Sequence, residues 1–287
     1  PFDMYNFTGG CRYAQSCQNF KNACKKCPAL KNIFQNIAEK NFKINSKLIN
    51  EIKPKIIFPS TYAKQFAKQT NFFNKNIQTS IIEYPVQVKQ DSFDNVNNKL
   101  IEEIKVKSKN RKIVFLGAQN LKEWRKGIYN FVNLISILKS KYKDLYNNLF
   151  FVLVGEGSHA IFKEFRDNSF CIKSLKHDNL VSLYKISDLI IIPSLQEWSS
   201  LMMSEVVKLD KFVICFDTGS SKDLITQGKN GYVFGLYDYM DVVEKMNYYF
   251  SNPKFFLKET NNKVLNSKIT DQDDENLKNK YIDIFND

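Results

Sequence analysis

The sequence contains no long apolar run and very little histidine. No segment of its 287 residues approaches the ~18 uninterrupted apolar residues that a membrane-spanning helix requires. No signal peptide and no internal repeat are visible. The only two histidines are His159 and His177. These absences predict a globular, non-repeating chain that does not span the membrane.

Apolar residues are plentiful although they are dispersed. They make up 43% of the chain, with 24 Phe and 14 Tyr, which is enough for a large core in a chain long enough for two domains. Five short apolar segments are predicted to be strands, at 112–118, 150–154, 170–172, 188–192 and 212–216. Amphipathic stretches such as 128–138 and 177–186 separate them. This alternation predicts an α/β fold with a doubly wound parallel sheet.

Positive charge is concentrated in the first part of the chain. Residues 1–110 carry 18 Lys and Arg against 8 Asp and Glu, so they account for +10 of the net charge of +12. One explanation is a compositional bias toward Lys and Asn. The other is a basic face toward anionic lipid or toward a diphosphate-bearing acceptor. The lysines are dispersed and no nucleic-acid recognition motif accompanies them, so we expect no nucleic-acid partner.

Two glutamates eight residues apart, Glu197 and Glu205, follow the strand at 188–192. Residues from Ser199 onward read as a helix, which places Glu197 in the loop before the helix and Glu205 about two turns inside it. At 1.5 Å per residue the two carboxylates are at most ~12 Å apart along the axis. Backbone N–H groups at a helix start suit a diphosphate. Without further context, such a pair is more often a capping carboxylate and a solvated one.

A basic pair, Arg125 and Lys126, stands just before Gly127 and the helix that starts near residue 128. Cations at a helix start oppose the helix dipole, so a role in solvent alone brings no benefit. Facing a diphosphate, the pair would offset the charge that grows on a departing phosphate group.

The flanking residues carry a resemblance to a known family. Pro193, Ser194 and Glu197, followed eight residues later by Glu205, resemble the signature of the family 4 retaining glycosyltransferases. These enzymes have the GT-B fold, with two Rossmann-like domains, and take sugars from nucleotide diphosphates. The order and spacing of the motifs match the donor-binding domain of that family from about residue 111 to residue 253.

The resemblance implies a role for each site residue. Glu197 would bind the transferred sugar, Glu205 the ribose, and Arg125 with Lys126 the leaving diphosphate. The remaining donor-binding residues would be Ser199, Ser200, Leu201, Gly117 and Gly155. The chemistry needs no metal. The donor would be a UDP-, GDP- or dTDP-sugar, the acceptor a glycan or a polyprenyl-diphosphate-linked glycan, and transfer would retain the anomeric configuration.

A second motif comprises four cysteines spaced C-x5-C-x6-C-x2-C, namely Cys11, Cys17, Cys24 and Cys27. This spacing suits a tetrahedral metal site, most readily structural zinc, or an iron–sulfur cluster. Disulfides and plain buried thiols are the alternatives. Neighbouring lysines would favour thiolates.

The segment from Asp3 to Cys11 resembles a cysteine-containing branch of family 4, found in bacterial gene clusters for surface polysaccharide such as LPS, O-antigen or capsule. That branch usually has His where Phe2 stands here, and the family usually has Gly shortly after the first Glu, where this chain has Trp198. These departures leave open a catalytically silent nucleotide-sugar-binding relative. A zinc-dependent nucleic-acid-binding protein is the other rival.

The resemblance also predicts a domain organisation. Residues 1–92 would form part of an N-terminal acceptor domain, truncated before Pro1. Residues 93–270 would form the nucleotide-sugar domain, and 271–287 a helix returning to the acceptor domain. We expect a cytoplasmic enzyme with peripheral contact to the inner face of the cytoplasmic membrane.

Overall fold

The computed structural model describes residues 1–31, 34–88, 98–161, 163–252 and 266–286. The strands are β1 (Ile56–Phe58), β2 (Thr79–Ile81), β3 (Lys112–Asn120), β4 (Leu149–Glu156), β5 (Ser169–Ile172), β6 (Leu189–Ile192), β7 (Val213–Phe216) and β8 (Gly231–Phe234). The helices are α1 (Gln35–Ile52), α2 (Thr61–Gln69), α3 (Asn98–Ser108), α4 (Ile128–Lys141), α5 (Lys143–Asn147), α6 (Ser158–Ile161), α7 (His177–Ile186), α8 (Leu201–Lys208), α9 (Ser221–Leu224), α10 (Tyr239–Phe250) and α11 (Asn266–Asn286). Short 3-10 turns cover Met4–Phe7, Asn19–Asn22, Trp124–Lys126 and Lys163–Asn168.

Six strands form one parallel sheet in the order β5-β4-β3-β6-β7-β8. The chain runs outward from β3 to β5, then returns to the other side of β3 and runs outward again from β6 to β8. The direction therefore reverses between β3 and β6. In such sheets, ligands bind outside the carboxyl ends of the strands at this reversal. The doubly wound parallel sheet predicted from the sequence is confirmed.

Burial on both faces explains why the strands read as continuous apolar runs. All residues of β6 and β7 are buried, as is β4 up to Gly155. One face packs against α4 and α10, with Phe131 and Met246 in the core. The other face packs against α3, α7 and α8, with Ile104, Tyr184 and Val206.

The N-terminal residues have a core of their own. Strands β1 and β2 pair in parallel, and Phe58 of β1 shares one core with aromatic residues from the 3-10 turns, α1 and α2. One member of this core comes from far along the chain, because Trp198, which follows Glu197, is buried among them. The loop after β6 and the N-terminal residues are thus packed together.

Helix α1 is one continuous helix, Gln35–Ile52, where the sequence pattern predicts two helices at about 33–40 and 47–52. Two polar residues in its second half have a partner outside the helix. Ser46 Oγ donates a hydrogen bond to the carbonyl oxygen of Phe72, and Asn50 Nδ2 donates to the same oxygen at 3.1 Å. Phe42 is buried on the same helix and anchors its middle.

The last helix, α11, contacts the N-terminal residues. Lys55 Nζ donates to the carbonyl oxygen of Ile284 at 3.0 Å, and Tyr281 OH donates to that of Glu83 at 3.4 Å. The predicted domain boundary at 92–93 lies outside the described residues, and the boundary at 270–271 falls within α11. The division into three segments stays a prediction. None of the described helices combines the length and apolar character needed to cross a membrane.

Candidate active site

A cleft of about 490 Å³ lies at the carboxyl ends of β3, β4 and β6, where the strand order reverses. The loop after β3 supplies the basic pair, and the loop after β6 supplies the first glutamate. All nine non-cysteine residues predicted from the sequence line this cleft: Gly117, Arg125, Lys126, Gly155, Glu197, Ser199, Ser200, Leu201 and Glu205. Their individual roles stay predictions.

The basic pair is held by a tight turn that rests on the β6 loop. Gly127 has φ +68°, and a Cβ there would collide with the carbonyl oxygen of Pro193, so only glycine fits. The Leu195 N–H donates to the carbonyl oxygen of Arg125 at 2.7 Å. The two loops are thereby fixed against each other, and the cations face the glutamate.

Glu197 is buried, with 5% of its surface exposed, and both of its carboxylate oxygens are engaged. Lys126 Nζ lies 2.5 Å and Ser194 Oγ 3.0 Å from Oε1, and Arg125 Nη1 lies 2.9 Å from Oε2. The Glu197 N–H donates to Thr218 Oγ1 at 2.9 Å. Two cations and a hydroxyl compensate the burial of this carboxylate.

Arg125 has further partners that orient it. Its Nε lies 2.8 Å from Glu123 Oε2, and its guanidinium stacks over the ring of Tyr13 with Cζ 4.4 Å from the centroid. Tyr13 also lines the cleft and comes from the N-terminal residues. The Arg125 side chain is therefore held by Glu123, Tyr13 and Glu197, and it lines the cleft.

Glu205 lies in α8 and contacts α7. His177 Nε2 lies 2.9 Å from Glu205 Oε1, and the Tyr184 hydroxyl also hydrogen-bonds this carboxylate. Burial raises the pKa of Tyr184, and the charge of Glu205 and its hydrogen bond raise it further, so Tyr184 stays a neutral donor. The sequence pattern alone predicts His177 as a surface residue at a helix start. The structure places it at the start of α7 with a half-exposed side chain, and it also contacts Glu205.

The turn between the glutamates is capped at the start of α8. Ser200 Oγ accepts from the Met203 N–H at 3.3 Å, and the Ser200 N–H donates to Ser220 Oγ at 3.4 Å. The helix begins at Leu201 rather than Ser199, because Ser200 is its N-cap. Gly219 has φ +58°, and its added Cβ would stand 2.8 Å from Glu197 Cβ, so glycine is required for the loop to pass the glutamate.

The four clustered cysteines do not form the predicted metal site. They are free thiols that line a separate cavity of about 270 Å³ beside α1. Among the described residues, no group of three or more His, Cys, Asp or Glu is arranged to hold a metal ion. Burial raises the pKa of the Cys11 and Cys24 thiols, with neighbouring cysteines adding to it, which opposes the expected thiolates. Structural zinc is therefore unsupported.

Sequence reasoning missed several residues of the cleft. Tyr13, Lys173, Ser174 and Tyr184 line it as well. Lys173 and Ser174 directly follow β5, and their position after the carboxyl end of a parallel strand is a signal that could have found them. Phe2 is 82% exposed and stacks on Tyr84 with 5.3 Å between ring centroids, outside the cleft lining.

Comparison with solved structures gives GT-B glycosyltransferases and related synthases. Sucrose-phosphate synthase from Thermosynechococcus elongatus is 14% identical with a TM-score of 0.58, covering 79% of this chain and 56% of that one. A glycosyltransferase from Rickettsia africae is 20% identical with a TM-score of 0.57, covering 77% and 57%. Anabaena HepE, solved in complex with UDP and glucose, is 15% identical with a TM-score of 0.57, covering 75% and 58%.

These likenesses establish a GT-B-like α/β fold, and the chain spans little more than half the length of these relatives. Sequence comparison with curated proteins gives no match. A family model described as glycosyl transferases group 1 matches residues 97–266, which is more than half of the chain. The chain therefore belongs to the family of group 1 glycosyl transferases.

Proposed function

We propose that this protein transfers a sugar from a nucleotide diphosphate sugar to a glycan or lipid-linked glycan acceptor, with retention of configuration, in the synthesis of a bacterial surface polysaccharide. The observation that carries the proposal is the convergence of Arg125, Lys126, Glu197 and Glu205 on one cleft at the reversal of the sheet. Family membership and a relative solved with UDP and glucose support it.

The reaction assigns a task to each charged residue. The bond between the anomeric carbon and the phosphate oxygen breaks while the acceptor oxygen bonds to that carbon on the same face. The acceptor proton passes to the leaving phosphate, so no enzymic nucleophile is needed. Arg125 and Lys126 stabilise the growing phosphate charge, because preorganised cations act most strongly where charge develops. Glu197 accepts hydrogen bonds from the sugar hydroxyls, and Glu205 from the ribose.

A direct binding screen tests the proposal. The protein is titrated in a calorimeter with UDP-, GDP- and dTDP-sugars, and with ATP as a nucleotide that has no transferable sugar on its phosphates. We expect saturable binding to at least one nucleotide sugar, followed by hydrolysis or transfer of its sugar. A folded protein that binds none of them would overturn the proposal.

The ribose role of Glu205 predicts a loss of donor affinity in Glu205→Gln. The amide keeps the shape of the side chain and removes one acceptor oxygen and the charge. We expect donor binding to weaken by roughly 1.5–3 kcal/mol, the scale of a hydrogen bond to a charged group. Calorimetry with the donor identified in the screen measures the change.

Glu156→Gln is the matched control for that substitution. Glu156 ends β4, where its exposed side chain pairs with Lys122 and is not among the cleft-lining residues. Its replacement removes the same charge near the cleft, and donor affinity should stay unchanged. Equal affinity of wild-type protein and Glu205→Gln would remove Glu205 from the ribose site.

A catalytically silent nucleotide-sugar-binding protein is the second candidate, favoured by Phe2, which stands where the related branch has His. Such a protein would bind a nucleotide sugar and neither hydrolyse nor transfer it. Phe2→His separates the two candidates. Turnover that rises in this variant marks an enzyme limited by the missing histidine, whereas tight binding without turnover in both proteins marks the silent binder.

Peripheral contact with an anionic membrane is part of the proposal. Helix α1 exposes Ile44, Leu48 and Ile52 beside Lys40 and Lys47, and Lys47 also pairs with Glu51 at 3.7 Å. An apolar row beside lysines suits the surface of an anionic bilayer. The protein should sediment with vesicles containing phosphatidylglycerol and not with phosphatidylcholine alone. Leu48→Glu should reduce that sedimentation, and its failure to do so would remove α1 from the contact.

A further inference from the structure

The candidate sugar-binding carboxylate and the candidate phosphate-binding cations neutralise one another in this structure. Lys126 Nζ and Arg125 Nη1 lie 2.5 Å and 2.9 Å from the two oxygens of Glu197. The side chains of both cations are largely buried, as is that of Glu197. A diphosphate that draws both cations away would therefore have to compete with an anion already in place.

Separating these groups has a cost that depends on what replaces them. A buried carboxylate that loses its cationic partners is strongly destabilised, because the remaining charge is not compensated. Without the cations, Glu197 would keep only the Ser194 hydroxyl at 3.0 Å as a side-chain donor among its described contacts. Sugar hydroxyls are donors of the kind that could take the vacated positions.

We propose that Glu197 is a competing internal anion that makes the diphosphate and the sugar of the donor bind cooperatively. This inference rests on the proposed function and adds a specificity device to it. A free nucleoside diphosphate binds poorly, because it draws the cations away from Glu197 and has no transferable sugar whose hydroxyls could replace them. An intact nucleotide sugar draws the cations to its phosphates and satisfies Glu197 with its sugar.

The surrounding charges allow this exchange. Glu123 on Nε and the Tyr13 ring hold Arg125 from positions that do not involve Nη1, so the guanidinium stays in place when Nη1 changes partner. Thr218 holds the backbone of Glu197, which keeps the carboxylate in the cleft during the exchange. Lys126 carries its ammonium on a flexible four-carbon stem, which lets it exchange one oxygen partner for another.

The same competition favours product release. Once the sugar has been transferred, its hydroxyls leave with the acceptor and Glu197 is again without donors. The carboxylate then recaptures Lys126 and Arg125, and the nucleoside diphosphate loses its counter-charges. Release of the product would thus follow from the transfer itself, with no separate conformational signal.

The test compares nucleoside diphosphates with their sugar conjugates in calorimetry: UDP with UDP-glucose, GDP with GDP-mannose and dTDP with dTDP-glucose. Wild-type protein should bind the conjugate of its preferred nucleotide about tenfold more tightly than the free nucleotide, which is ~1.4 kcal/mol. Glu197→Gln removes the competing charge. In that variant the free nucleotide should bind about tenfold more tightly than it binds wild type, a change of similar size, and the preference for the conjugate should vanish or invert.

Glu156→Gln again serves as the matched charge control and should leave both affinities at their wild-type values. Free nucleotide that binds Glu197→Gln no better than wild type overturns the inference while the proposed function stands. Absence of any nucleotide binding in folded wild type overturns both. If Glu197→Gln does not fold, the wild-type comparison decides alone, and free nucleotide binding as tightly as the conjugate overturns the inference.

Discussion

Replacement of Lys126 by alanine should lower turnover by about 10²–10³-fold, the scale for losing one preorganised electrostatic donor. Lys126 lines the cleft beside Glu197, and no other lysine contacts that carboxylate among the described residues. In the proposed reaction the leaving diphosphate gains charge as the glycosidic bond breaks, so Lys126 would stabilise the transition state more than the bound donor. Donor affinity should therefore fall less than turnover, and kcat and Kd measured separately give both quantities.

Lys122→Ala is the matched control for Lys126→Ala. Lys122 stands four residues earlier, is exposed and pairs with Glu156, so its loss removes the same charge without touching the cleft lining. Turnover should be close to wild type in this variant. Equal losses in the two variants would mean that net charge rather than position matters, and would remove Lys126 from the reaction.

The parallel sheet could be predicted because its strands are buried on both faces. Strand β4 illustrates this, since residues from Leu149 to Gly155 are all buried and therefore all apolar or glycine. Helix α1 could not be predicted as one element. Its middle is polar, and the partner that explains Ser46 and Asn50 is a carbonyl group 22 or more residues away. Local periodicity contains no signal for such long-range hydrogen bonds.

The same contrast holds for the site. The sequence could assign Glu197 and Glu205 to one cleft because a short motif contains both. It could assign Arg125 and Lys126 to the same cleft because a glycine turn follows them. Glu197 pairs with Arg125 and Lys126, which lie more than 70 residues earlier in the chain. The spacing of residues within one short motif cannot predict a contact over that distance. His177 was missed as a partner of Glu205 for the same reason, although both lie at the starts or interiors of correctly predicted helices.

Structural zinc at the four cysteines finds no support among the described residues, although the spacing of these cysteines suits a metal. A C-x-x-C pair with a further two cysteines is compatible with metal, but a ligand must be a thiolate. Burial opposes ionisation of Cys11 and Cys24, and the four thiols share their cavity with apolar side chains of α1 such as Ile37. Sequence alone does not report that burial.

Trp198 explains a departure from the family pattern that the sequence left without a reason. The family usually has a glycine shortly after the first Glu. Here the indole is 1% exposed and packs in the N-terminal core, with its ring centroid 5.9 Å from that of Phe7 and 5.7 Å from that of Phe66. Its Nε1–H donates to the carbonyl oxygen of Pro1 at 3.0 Å. The residue after Glu197 thus anchors the loop of the site to the N-terminal residues.

Trp198→Ala should therefore destabilise the fold by about 3–5 kcal/mol, the range for removing a buried aromatic side chain. The cavity would open between Phe7 and Phe66, and the Pro1 carbonyl would lose a donor. The backbone carbonyl of Trp198, which accepts from Ser60 Oγ at 2.7 Å, would be less well placed. Because Glu197 is the preceding residue, turnover should fall as well, since small displacements of positioned groups are costly to reaction rates. Denaturant unfolding measures the stability change.

The other tryptophan of the chain, Trp124, is the control that shows whether lost packing causes the stability loss in Trp198→Ala. Trp124 is 39% exposed, so Trp124→Ala removes the same side chain from a far less buried position and should cost at most about 1 kcal/mol. A stability loss in Trp198→Ala no larger than in Trp124→Ala would show that the indole does not anchor the N-terminal core. A large loss in Trp198→Ala alone, with weakened nucleotide binding, would show that the stability of that core and the position of Glu197 depend on one side chain.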